Sequence, residues 1–181
     1  MKFHTKFFKK CLFYFGEDQP KVTMRECLRS CFGAFIGLTF VLVAAKILGE
    51  FAGIGEYLMA SLGASALLVF VLPQSPMAQP WAVISGNTLS ALIGIASVHT
   101  ISEPLLAMPF AAAASIMGMF VLRCLHPPAA AVAMIAVLGH MMHYRYAFFP
   151  VMIDSALLVI AGAIYSNMTG KKYPNQPLGR V

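Results

Sequence analysis

The stretch AAAASIMGMFVLRCLHPPAAAVAMIAVL, Ala111 to Leu138, decides how this chain is built. Two apolar, small-residue arms flank a polar break, Arg123-Cys124-Leu125-His126, and Pro127 and Pro128 follow at once. A proline donates no backbone hydrogen bond and pushes the residue before it out of helical geometry. One helix is therefore expected to end near Leu125 and another to open at the prolines, with His126 in the capping position. A guanidinium and an imidazole between arms this apolar are costly in a bilayer, and such residues mark function by default.

Outward from that stretch the whole chain has the same character. Of its 181 residues 59% are hydrophobic and 11% charged, and the mean hydropathy is +0.76. A water-soluble fold needs more charge than this to cover its surface. Apolar runs recur near the length of about 20 residues that a bilayer core demands. They are continuous, which excludes the alternating strands of an outer-membrane barrel. The reading is an all-α, polytopic membrane protein, expected in a bacterial inner membrane. Its net charge of +6 gathers at the ends, in 1–29 and in Lys171, Lys172 and Arg180. That is the positive-inside pattern rather than a nucleic-acid surface, and it places both termini in the cytoplasm with an even number of spans. Cys11, Cys27, Cys31 and Cys124 show no metal-ligand spacing and read as free thiols.

Three regions follow. Residues 1–26 form a basic, amphipathic segment on the cytoplasmic membrane surface, with GEDQPK (Gly16–Lys21) as a linker. Residues 27–168 form the transmembrane region, and 169–181 a basic tail. Six apolar segments are expected: Ser30–Leu48, Tyr57–Leu72, Trp81–Thr100, Leu105–Leu122, Pro127–His140 and Phe148–Asn167. The short second and fifth allow a second arrangement, four full spans with re-entrant or broken helices. Loops at Glu50–Glu56 and Ser102–Pro104 fall outside, both polar breaks inside, and Arg145 falls outside against the rule. The glycines at 33, 37, 63, 86, 94 and 118 read as close-packing positions.

The chain also resembles itself at an offset of 50. Ala64-Ser65 followed by Phe70-Val71-Leu72 matches Ala114-Ser115 followed by Phe120-Val121-Leu122, and a proline-bearing break succeeds each. Transporters build substrate sites from such repeats with broken helices. After each break a helix N-terminus opens, with Ser75 before Pro76 and His126 before Pro127, and helix N-termini attract anions. Arg123 and His126, the N–H groups after Pro76 and Pro128, and the side chains of Ser65, Gln79, Asn87 and Ser115 together form the candidate substrate-binding set. Plain structural roles stand beside these: Arg123 as a membrane anchor, His126 as a cap, the neutral polar groups as interhelical bonds. Asp154, inside an apolar segment, must be protonated, paired or facing water, and is the candidate proton-coupling residue. His140 and His143 lack a third ligand, so no metal or cofactor is assigned, and no catalytic set either.

LHPPAAA (Leu125–Ala131) resembles the signature of the HPP family of integral membrane proteins. GASALLVF (Gly63–Phe70) and SPMAQPWAVISGN (Ser75–Asn87) resemble that family's other blocks, in the same order. The resemblance covers about Arg25 to Met168. It implies four membrane-spanning helices. It also implies a small-anion carrier or channel, since the family's best-characterised members, in chloroplasts and cyanobacteria, are nitrite transporters. The expected function is a permease for a small inorganic anion, nitrite first, working as a homo-oligomer in the lipid bilayer. The alternative is a non-transporting scaffold or accessory subunit.

Overall fold

The computed structural model describes residues 22–48 and 55–175, and within these the side chains from residue 60 onward in the second helix. The expected amphipathic segment before Val22, the linker, most of the first outer loop and the end of the tail lie outside the described residues. Helix α1 is Met24–Ile47, α2 Gly55–Val71, α3 Pro80–Thr100, α4 Pro104–Val121, α5 Ala129–Leu138 and α6 Ile153–Met168. A single 3₁₀ turn, Pro76–Ala78, lies between α2 and α3. A wide-wound lead-in, Ala147–Met152, runs into α6. No strand occurs among the described residues. Among the described residues four helices are long and apolar enough to cross a membrane: α1, α3, α4 and the lead-in with α6, Ala147–Met168. With α2 and α5 as shorter apolar helices, both counts read from the sequence describe the same molecule.

Local chemistry sets the ends. Helix α1 starts at Met24, earlier than Ser30, because the Thr23 hydroxyl caps it by accepting from the Glu26 N–H at 3.3 Å. Arg29 then neutralises Glu26 at 2.7 Å within the first turns. Pro80 and Pro104 open α3 and α4 where the missing N–H costs nothing. Helix α4 closes with Cys124 N–H bonded to Met119 O and Arg123 N–H to Phe120 O, a Schellman turn that holds Arg123 at φ 52°. Helix α5 closes the same way through His140 at φ 49°, and α6 through Gly170 at φ 80°. The sixth segment is not the continuous helix expected from Phe148. Phe149 is extended (φ −139°, ψ 110°) ahead of Pro150, as a residue before proline tends to be.

The repeat is visible in the elements. Helices α2 and α4 end at Val71 and Val121, and each is followed by a proline-bearing break and a further helix. The halves differ in that α3 is 21 residues long and α5 only 10. Helix α3 lies at the centre and packs most extensively on α5 and α4. Its glycines allow this approach. Gly86 lies under the Cys124 carbonyl and His126 Cβ, and Gly94 against the Ala133 backbone and Ala136. The second break therefore does not stay at the surface. The Trp81 indole donates to Leu122 O at the start of α3, and the chain then dips to the level of Gly86 before α5 begins. Helix α5 is a half-helix of about 15 Å.

Both breaks and both ends of the described chain gather at one end of the bundle. Lys171 pairs with Glu26 at 3.2 Å, Arg29 donates to Phe70 O, and the Tyr173 hydroxyl donates to Ala78 O at 2.7 Å. His99, stacked on Tyr144 and bonded through Nε2 to Met142 O, marks the opposite end.

Candidate functional site

The two breaks meet at His126. Its ring is wholly buried, and Nδ1 lies 2.8 Å from Met77 O in the first break, while Nε2 lies 2.8 Å from Ser65 Oγ on α2. A carbonyl only accepts, so Nδ1 carries the proton and donates to Met77 O. In the neutral ring Nε2 accepts from the Ser65 hydroxyl. One turn earlier on α2, Ser61 lies 3.4 Å from Pro128 O. Two serines four residues apart on one helix face thus hold the His126–Pro128 turn in place.

His126 does not cap α5. Pro128 occupies the cap position and offers no side-chain bond. The prolines make their own turn, with Ala129 N–H donating to His126 O at 2.9 Å, and this frees the imidazole to turn inward. Ser75 does cap, accepting from Met77 N–H at 3.3 Å, but the helix it caps is only the 3₁₀ turn. The N–H groups following each break are used internally: Ala78 donates to Ser75 O, Ala130 to Pro127 O and Ala131 to Pro128 O. What the break offers an anion is therefore the field of the α5 dipole and the side chains around it.

Those side chains are distinctive. Ser90 on α3 and Ser115 on α4 are both wholly buried, and neither hydroxyl has a hydrogen-bond partner among the described residues. Ser90 lies one turn from Gly86, which touches the break, and one turn from Gly94, which touches Ala133. Ser115 lies between Ala111, packed with Ala133 and Val137, and Met119, packed with Cys124 and Ala129. By register both hydroxyls flank the first turns of α5. A buried hydroxyl with no partner costs about 1–3 kcal/mol, so two of them at one helix N-terminus call for an explanation.

The remaining expected residues divide. The Asn87 amide donates to Ser155 Oγ on α6 at 2.9 Å, and its Oδ1 is unpartnered among the described residues. Asp154, next to Ser155 and wholly buried, sits in the first turn after the kink, within electrostatic reach of Tyr146. Gln79 stitches the first break together: its amide donates to Pro73 O and Ser75 O, and its oxygen accepts from Asn175 N–H. Arg123 is exposed at the end of α4. The structure thus gathers Ser65, His126, Pro127 and Pro128, sets Ser115 beside them, and leaves Ser75 and Gln79 in the loop below. Sequence reasoning misses Ser61, Ser90 and Ser155. Ser61 and Ser90 carried a signal, four residues before Ser65 and midway between Gly86 and Gly94. No three His, Cys, Asp or Glu residues come close enough to hold a metal among the described residues.

The profile of the HPP transmembrane region matches residues 19–174. The chain belongs to the HPP transmembrane family. Two transmembrane proteins of Dictyostelium discoideum are similar to it. One is 33% identical over 169 residues, 88% of this chain and 54% of that protein; the other is 34% identical over 127 residues, 66% and 45%. The chain spans about half the length of these curated relatives. No solved structure matches it. In this HPP protein the His-Pro-Pro triplet is the second break itself: the prolines turn the chain and start the short helix α5, and His126 ties that turn to α2 and to the first break.

Proposed function

We propose that this HPP protein is a permease, not an enzyme, for a small monovalent anion. Nitrite is the leading candidate, the assembly is a homo-oligomer, and both chain ends face the cytoplasm. The observation that carries this reading is the pair of buried, unpartnered hydroxyls of Ser90 and Ser115 at the N-terminus of α5. A hydroxyl donates to an anion as it does to water, and a half-helix N-terminus supplies partial positive charge without a counter-ion. A site of neutral donors binds a monovalent anion weakly enough to release it, as conduction requires. Arg123, exposed at the same end of the bundle, draws anions to the entrance. Asp154 is the proton partner if flux is coupled.

The test is anion flux into liposomes holding the purified protein, comparing nitrite, nitrate, formate and chloride with and without a pH gradient. Saturable nitrite flux is expected, falling at least tenfold in Ser90→Ala/Ser115→Ala while the protein melts no lower than wild type. A pH-gradient dependence that disappears in Asp154→Asn supports coupling. Folded protein that moves none of these anions overturns the permease reading in favour of a scaffold role.

A further inference from the structure

At the end of the bundle where the breaks gather, α1, the end of α6 and the tail enclose a cleft of about 810 Å³. Its polar wall carries Arg25, Arg29 and Lys171 against one carboxylate, Glu26. Its apolar wall is Leu28, Phe32 and Met168, all exposed on the outer face of the bundle.

Glu26 is already committed. Its Oε1 accepts from Arg29 at 2.7 Å and from Lys171 at 3.2 Å. Arg29 is nine-tenths buried, with a side-chain exposure of 10%, and three of its bonds are to Glu26, Ser30 Oγ and Phe70 O. Its buried Nη1 has no partner among the described residues. A guanidinium nitrogen without an acceptor is expensive, and Arg forks match phosphate oxygens in geometry and charge. Three cations facing one shared carboxylate leave a positive excess at the cleft. The apolar side gives it a second character, since Leu28 and Phe32 continue onto the lipid-facing surface of α1.

We infer that this cleft binds a phosphate group, with Arg25, Arg29 and Lys171 as its cationic partners, and that the group is the headgroup of an anionic phospholipid whose acyl chain lies along Leu28 and Phe32. Basic pockets between transmembrane helices recognise headgroups in this way. The site is separate from the interior hydroxyls, and it stands or falls independently of anion permeation.

The experiment is native mass spectrometry of the full chain in detergent with phosphatidylglycerol, with phosphatidylcholine, and with soluble glycerol 3-phosphate as competitor. The variants are Arg29→Lys, which keeps the charge but loses the fork, and Lys171→Gln, at a side chain 41% exposed whose ion pair with Glu26 contributes little to stability. Wild type is expected to retain phosphatidylglycerol at least fivefold over phosphatidylcholine, with that preference lost in both variants. Millimolar glycerol 3-phosphate that displaces the lipid supports the phosphate site and assigns it to a soluble phosphate; failure to displace assigns it to the lipid. Equal retention of the two lipids without glycerol 3-phosphate binding, or a preference unchanged in both variants, overturns the inference.

Discussion

Gly94→Ala tests the packing of the short helix α5 on which the site depends. A Cβ built there falls 2.5 Å from Ala133 O, 2.8 Å from Ala136 Cβ and 3.0 Å from Ala133 Cα. Ordinary contact begins near 3.4 Å, so α3 and α5 must part by nearly an ångström. Two of the three obstacles are backbone or Cα atoms, which no rotamer change can move. Overpacking of this kind costs about 1–3 kcal/mol, and for a chain of this length each kcal/mol moves the melting temperature by about 2–4 °C. A fall of about 2–12 °C is expected. Gly63→Ala is the matched control: nothing lies within 4 Å of its Cβ, and replacing a helical glycine gains about 0.5–1 kcal/mol. The single tryptophan, Trp81, reports from the junction of α3 and the break, where its indole donates to Leu122 O. Thermal melts of purified protein in detergent, followed by that fluorescence, should therefore move in opposite directions for the two variants. A Gly94→Ala protein that melts with or above wild type would refute the close packing of α5 on α3.

His126→Asn keeps a donor near Nδ1 for Met77 O, and His126→Gln a group near Nε2 for Ser65. Each should melt between wild type and His126→Ala, which loses both bonds and is expected to fall furthest, by about 2 kcal/mol or more. His140→Gly removes a left-handed strain from a non-glycine residue at φ 49° and should raise stability by about 1 kcal/mol, read in the same melts. Tyr173→Phe leaves Ala78 O without its donor and should loosen the tail, exposing Lys171 and Lys172 to faster tryptic cleavage. Burial raises the Tyr173 phenol above the ordinary tyrosine value, so its contribution is whole below pH of about 10 and is lost as the pH climbs further. Melts of wild type from pH 8 to 11 should therefore fall in the upper part of that range, and less so in Tyr173→Phe.

Much of this fold is legible in short-range signals. Pro80 and Pro104 announce helix starts, the apolar runs announce helices, and the match at offset 50 places the ends of α2 and α4 at equivalent residues. What the sequence does not display is depth. Pro127 and Pro128 say that a helix stops and another begins, but nothing local says that the turn between them sinks to the level of Gly86. That depth comes from two glycines on another helix and two serines on a third. The misplacement of His126 has the same origin. Its position before proline suggests a cap, while its burial and its partners Ser65 and Met77 are set by segments 61 and 49 residues away. The kink at Phe149 is different, because Pro150 carried that signal in plain view.

The placement of His126 also decides which variants can separate a permease from a scaffold. Removing its imidazole breaks a tie between α2 and both breaks, so lost flux in His126→Ala would follow from disorder in the break as readily as from a lost anion contact. Ser90 and Ser115 behave oppositely. Their hydroxyls bond to nothing among the described residues, so alanine there removes a desolvation penalty and costs the fold no hydrogen bond. In a scaffold these two hydroxyls are pure expense, and the alanine variants should assemble and act as well as wild type. In a permease the same hydroxyls are satisfied only while an anion passes, and the stabler protein should be the slower one.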